Sequence, residues 1–223
     1  MFSSQGRIRH IYNADKLDSL VVFQDRFNTR YNTSISVNVS TDPGMQATAT
    51  RIGKEWHAEN PLGRQGELVF YGDLLSVLDL REVIAVQSHE LGHFKYAMLP
   101  DRDAQVAETR QILRDIGYDE NAVKWLENSE EVFADLYAVK DLSEKYGSES
   151  DNYIQNTLIR SLALDYENSF LLQQDMLNQD NRVNILDYFA QQKRDVQLGQ
   201  FDYPPPLVRM DMVSRAHRHY MKK

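Results

Sequence analysis

Apolar positions along the chain change their spacing twice, and each change marks an element. From Asp15 to Tyr31, Leu17, Leu20, Val21, Phe23 and Phe27 fall close to helical spacing, with Asp15 placed to cap the start and Asn28-Thr29-Arg30 to end it. Ile35, Val37 and Val39 then alternate with Ser and Asn, a strand pattern, followed by the turn residues Asp42-Pro43-Gly44. Met45 to Ile52 alternates loosely and reads as a second strand. Asn60-Pro61-Leu62-Gly63 and Gly66 mark a loop, and Glu67–Tyr71 reads as a short strand closed by Gly72. From about Asp79 to Leu99 the period becomes helical again. Leu80, Val83, Ile84, Val86, Leu91, Phe94 and Met98 cover more than one face, as in a buried helix, and Pro100 ends it.

Beyond Pro100 the pattern is almost wholly helical. Helices are expected near 103–116, 120–127, 129–146, 151–178 and 182–194, with breaks at Gly117, Asn128 and Gly147. Tyr203-Pro204-Pro205-Pro206 reads as a rigid extended segment before a last helix over 207–221. A few N-terminal strands followed by many helices predict an α+β fold.

Composition narrows the picture a little. The chain has 223 residues, 42% of them hydrophobic, enough for a substantial core. The net charge of -8 argues against a nucleic-acid partner. The absence of cysteine excludes disulfides, thiolate ligands and a cysteine nucleophile. The opening residues lack the apolar segment of a Sec signal peptide, and no apolar run approaches a membrane span, so a cytoplasmic or otherwise soluble protein is expected.

The candidate chemistry lies inside the buried helix, at His89-Glu90-Leu91-Gly92-His93. Histidines at i and i+4 share one helix face and can bind one metal ion, while Glu90 can reach a water rather than the metal. Zinc suits nitrogen and oxygen ligands and keeps a position open for water in catalytic sites, so one Zn2+ per chain is expected. Two histidines and a glutamate among apolar neighbours are costly unless they are used. A third ligand is required. Glu131 is the best placed, in Glu130-Glu131-Val132-Phe133-Ala134-Asp135, with Glu127 and Glu130 as fallbacks. Asp135, one turn after Glu131, could hydrogen-bond the far nitrogen of a ligand histidine and fix its tautomer.

These motifs, with Gly66-Glu67-Leu68-Val69-Phe70-Tyr71-Gly72-Asp73-Leu74-Leu75 and Leu80–Ser88 ahead of the histidines, resemble the metallopeptidase family of HtpX and the CAAX prenyl proteases. Glu131-Val132-Phe133-Ala134-Asp135 matches the family's Glu-x-x-Ala-Asp motif. Tyr203-Pro204-Pro205-Pro206-Leu207-Val208-Arg209-Met210 is similar to its C-terminal His-Pro-Pro-x-x-x-Arg-Ile segment, with Tyr203 where the family usually has histidine. The resemblance covers roughly 45–140 and 203–213. The membrane spans of many members are missing, so the soluble minimal members are the better comparison. The Glu-Val-Phe-Ala-Asp stretch also resembles lethal-factor-type toxins and ImmA-type regulatory peptidases.

The resemblance implies a zincin-like fold of the gluzincin type: a small mixed sheet packed on the zinc-binding helix, followed by a mostly helical C-terminal half. A catalytic core over 1–146 and a helical extension over 147–223 would form one compact domain, with 203–213 returning to the active site. The implied activity is that of a zinc endopeptidase, with His89, His93 and Glu131 on the metal and Glu90 as general base. Arg209, Tyr203, His217 and His219 are oxyanion-donor candidates, Arg209 first by family position. His217-Arg218-His219 with Lys222 and Lys223 otherwise reads as a solvated basic tail. Glu67–Tyr71 is expected to be an edge strand along which an extended peptide or protein substrate lies. Two alternatives stand beside the peptidase. One is a catalytically inactive metal-binding module, against which the intact Glu90 argues. The other is a regulatory or effector protein that cleaves one partner, with the Gln-, Asn- and Asp-rich region 148–200 as the partner-binding element. Oligomeric state has no signature in the sequence.

Overall fold

The structure is a computed structural model, and it describes residues 14–40, 47–51, 66–71, 75, 78–98, 102–159 and 204–222. The turn at 42–44, the loop residues 60–63, Tyr203, residues 160–178 of the helix expected over 151–178 and the helix expected over 182–194 lie outside the described residues. Mixed strands and helices make the architecture α+β. No helix among the described residues is long and apolar enough to cross a membrane. The chain forms two compact units, Met1–Pro100 and Asp101–Lys223. The division thus falls directly after the histidine-bearing helix rather than near residue 146. The physical reason is that the Glu130–Tyr146 helix packs on the C-terminal helix and on the helix after Pro100, all in the second unit.

In the first unit, helix α1 (Ala14–Tyr31) leads into strand β1 (Ile35–Ser40), followed by β2 (Ala47–Arg51), β3 (Gly66–Tyr71) and helix α2 (Leu80–Met98). The sheet order is β1-β3-β2, with β1 parallel and β2 antiparallel to β3. The mixed sheet agrees with expectation, but the place of Glu67–Tyr71 does not. That segment is the central strand, not an edge. Its backbone groups pair with β1 on one side and β2 on the other, so it has no open ladder to offer a substrate.

The outer side of β1 is also covered. The Asn28 side-chain amide donates to the Ile35 carbonyl at 2.9 Å, and its oxygen accepts from the Ile35 N–H at 2.9 Å. The Gln24 side-chain oxygen accepts from the Val37 N–H at 2.7 Å. The polar face of α1 thus takes the place of a neighbouring strand.

Helix α2 begins with a reciprocal cap. Asp79 Oδ1 accepts from the Glu82 N–H at 2.9 Å, and Glu82 Oε2 accepts from the Asp79 N–H at 2.7 Å. The helix packs against α1 and β2 and buries Val83, Ile84, Ala85, Leu91 and Phe94. Gln87, fully buried on the same helix, donates to the Leu20 carbonyl of α1 at 2.6 Å. Gly66 fixes how closely the sheet approaches, because a Cβ there would sit 2.2 Å from the Phe94 ring.

The second unit holds α3 (Arg102–Asp115), α4 (Glu120–Leu126), α5 (Glu130–Tyr146), a single turn at Gly147–Glu149, α6 (Ser150–Tyr153), which continues as a wider-wound stretch over Ile154–Leu158, and α7 (Pro206–Tyr220). The breaks expected at Gly117, Asn128 and Gly147 each separate two elements. Gly117 and Gly147 have φ of 89° and 53°, a conformation that glycine adopts without strain. Asp119 caps α4 by accepting from the N–H groups of Asn121 and Ala122 at 3.0 and 2.9 Å. Ser129 caps α5 through the Val132 N–H. Every residue of α5 from Val132 to Val139 is buried, so this helix is the unit's core element. Helix α7 opens on Pro206 and turns Arg209, Met212, Val213, Ala216 and His217 inward, a stripe at helical spacing, and packs on α5.

Candidate metal site and its buried charges

The residues singled out by the sequence fall into two groups, one in each unit. The first is carried by α2. His89 and His93 are half-buried, and Glu90 between them is buried. The helical repeat brings the two Nε2 atoms to 3.1 Å, with the rings nearly perpendicular at 88°. Two nitrogens bound to one tetrahedral zinc at about 2.0–2.1 Å would be roughly 3.3 Å apart. The imidazoles therefore have the donor chemistry and spacing of a metal-binding pair, and an N–H···N contact between neutral rings is the other arrangement at this distance. What the sequence contributes is the base: a capped helix, buried on several sides, that sets the two histidines one turn apart on one face.

The second group belongs to α5 and α7. Glu131 and Asp135 lie one turn apart on α5, Asp135 fully buried and Glu131 half-buried. Arg209 of α7, only 3% exposed, points its guanidinium at both. Its Nε donates to Asp135 Oδ2 at 2.7 Å and its Nη2 to Asp135 Oδ1 at 2.9 Å, a fork-on-carboxylate pair. Nη2 also lies 3.0 Å from Glu131 Oε2. Both oxygens of Asp135 therefore accept from arginine, whereas the sequence suggests a place for Asp135 behind a ligand histidine. Arg209, expected as an oxyanion donor, spends its Nε and Nη2 on carboxylates. The signal for this pairing was present. An aspartate inside an eight-residue apolar run needs a buried cation, and Arg209 shares the helical stripe of Met212, Val213 and Ala216.

The two fallback ligands are occupied differently. Glu127 takes a two-pronged pair from Arg110, at 2.5 Å from Nε and 3.0 Å from Nη2, and this hydrogen bond holds its carboxyl below the usual range. Glu130 is exposed at the first position of α5. Tyr203 lies outside the described residues, so its expected role gains no geometry.

His217 departs from the solvated tail expected for it. It is 2% exposed, its Nε2 lies 2.9 Å from Ser150 Oγ, and its Nδ1 lies 3.3 Å from Asp151 Oδ1. The reason is its place on the inward stripe of α7, eight residues after Arg209. Burial pushes its pKa below the ordinary value, against the opposing pull of Asp151. His219 is half-buried, with Nε2 3.9 Å from Asp115 Oδ2. The Ser150 hydroxyl has no exposure at all, so this serine, histidine and aspartate form a packing contact rather than a nucleophile open to substrate.

No protein-family model, curated protein or solved structure matches this chain.

Proposed function

We propose that the protein is a zinc-dependent endopeptidase of the gluzincin type, with a zincin-like fold, in which His89, His93 and Glu131 hold one zinc ion. The observation that carries this reading is the 3.1 Å convergence of the His89 and His93 Nε2 atoms beside the buried Glu90. When bound, zinc supplies a Lewis acid for the scissile carbonyl and a water whose pKa is near ~7. Glu90 acts as the general base. Its carboxylate takes a proton from the attacking water as the oxygen bonds to the carbonyl carbon, then returns it to the amine nitrogen as the C–N bond breaks. Glu131 is preferred over Glu127 because Arg110 takes both oxygens of the latter, whereas Arg209 meets Glu131 at Oε2.

The substrate is an extended peptide that adds a strand to the sheet. Since β3 is central and α1 covers β1 at Ile35 and Val37, the strand that takes it is β2. Among the described residues, β2 pairs on one side only, and it packs against α2.

Metal content and peptide hydrolysis, measured on the parent and on Glu90→Gln, test the reading. Both proteins are expected to hold about one zinc per chain, with the variant's turnover lower by about 10²–10⁴-fold. A zinc-free parent, prepared without chelators, sinks the proposal. Zinc in both proteins with no hydrolysis by either turns it toward a metal-binding module.

A further inference from the structure

The inference concerns Arg209, and it rests on the ligand set just proposed. Asp135 alone would satisfy the arginine fork, since it takes both Nε and Nη2. Yet Nη2 lies equally within reach of Glu131 Oε2, at 3.0 Å. A glutamate on the first turn of a helix rotates about three side-chain bonds unless something holds it. Arg209 is itself immobilised: it is 3% exposed, on the inward stripe of α7, and gripped by a carboxylate with no solvent exposure. The contacts run in sequence from Asp135 to Arg209 to Glu131, each fixing the next.

We propose that Arg209 is a positioning residue for Glu131, holding its carboxylate in the rotation at which it ligates the metal. Asp135 braces the arginine. A planar fork suits this task and an ammonium does not, because one guanidinium must meet two carboxylates at fixed angles. The oxyanion role expected for Arg209 is replaced by one exerted through a ligand.

Zinc affinity tests this, measured by competition with a chromophoric chelator on the parent, Arg209→Met, Arg209→Lys, Glu131→Ala and the double variant Arg209→Met/Glu131→Ala. Thermal melting with chelator present establishes that each apo protein folds. Supporting residues of metal ligands are worth about 10–100-fold in affinity, and that is the loss expected for Arg209→Met. Arg209→Lys keeps the buried charge and loses the fork, so it is expected to fold like the parent and to bind zinc more weakly. In the Glu131→Ala background, Arg209→Met is expected to cause no further loss, because its effect passes through Glu131. The same fold-loss in both backgrounds overturns the inference, since a general effect on the fold would act with or without Glu131. Parent affinity in Arg209→Lys overturns it as well. A Glu131→Ala protein that binds zinc like the parent overturns the ligand assignment instead, which separates the two failures. Visible absorption of the cobalt-loaded parent and Arg209→Lys gives a second readout. A changed band supports a shifted carboxylate ligand, and identical bands count against it.

Discussion

The two groups of residues assigned to the site are held in opposite ways. On α2, His89, Glu90 and His93 are near neighbours in sequence, and their geometry follows from the helical repeat alone. What holds that helix is backbone-level fitting: a reciprocal cap at Asp79 and Glu82, and a glycine that admits the Phe94 ring. On α5 and α7, Glu131 and Asp135 depend on an arginine more than seventy residues away, and charge rather than close fit holds the group together. A site element built on one helix persists as long as that helix does. One built on a long-range buried ion pair exists only in the finished fold.

Substitutions that attack each kind of support sharpen this contrast. The largest effect is expected from Asp135→Ala, which leaves Arg209 buried without its main partner. Loss of one member of a buried pair costs about 3–5 kcal/mol, read as a lower urea midpoint. A loss below about 1 kcal/mol, the scale of an exposed pair, would show that charge does not hold this unit. Next comes Gly66→Ala. Its Cβ would meet the Phe94 ring at 2.2 Å, so sheet and helix must move apart, at about 1–3 kcal/mol for overpacking. Unchanged stability there would mean that the Phe94 contact can relax. Asp119→Ala, which removes the α4 cap, is expected to cost ~1 kcal/mol.

The smallest effect is a pH dependence. Burial lowers the His217 pKa in the folded protein, so the unfolded chain binds the proton more readily. The stability that neutral His217 contributes is complete above the ordinary histidine value of about 6.5 and is lost as pH falls toward the lowered folded value. His217→Gln is expected to flatten urea midpoints over that window relative to the parent. Equal slopes in parent and variant would count against the buried, neutral imidazole.

Much of the fold could be read directly, because most of its signals are local. The alternation at Ile35, Val37 and Val39, the buried period of α2, and the breaks at Gly117, Asn128 and Gly147 each sit within one element. Strand order is not local. Nothing in Glu67–Tyr71 says that two other strands will flank it, and its apolar run suits a central strand as well as a half-covered edge. The same limit applies to the charges. Asp135 declared its need for a partner, but only the packing of α7 on α5 identifies Arg209. His217 departs from expectation for a different reason. Its basic neighbours suggested a tail, whereas its spacing from Arg209, Met212, Val213 and Ala216 already put it on the inward stripe.

The cover that α1 lays over β1 bears on how copies of this chain can associate. A sheet with two open edges can recruit strands without limit, which is how fibrils grow. Here Asn28 and Gln24 occupy the outward N–H groups of Ile35 and Val37, and Asn28 also takes the Ile35 carbonyl. Among the described strands, β2 pairs on one side, with β3. Edge-to-edge pairing through β1 would therefore have to displace α1 at Ile35 and Val37.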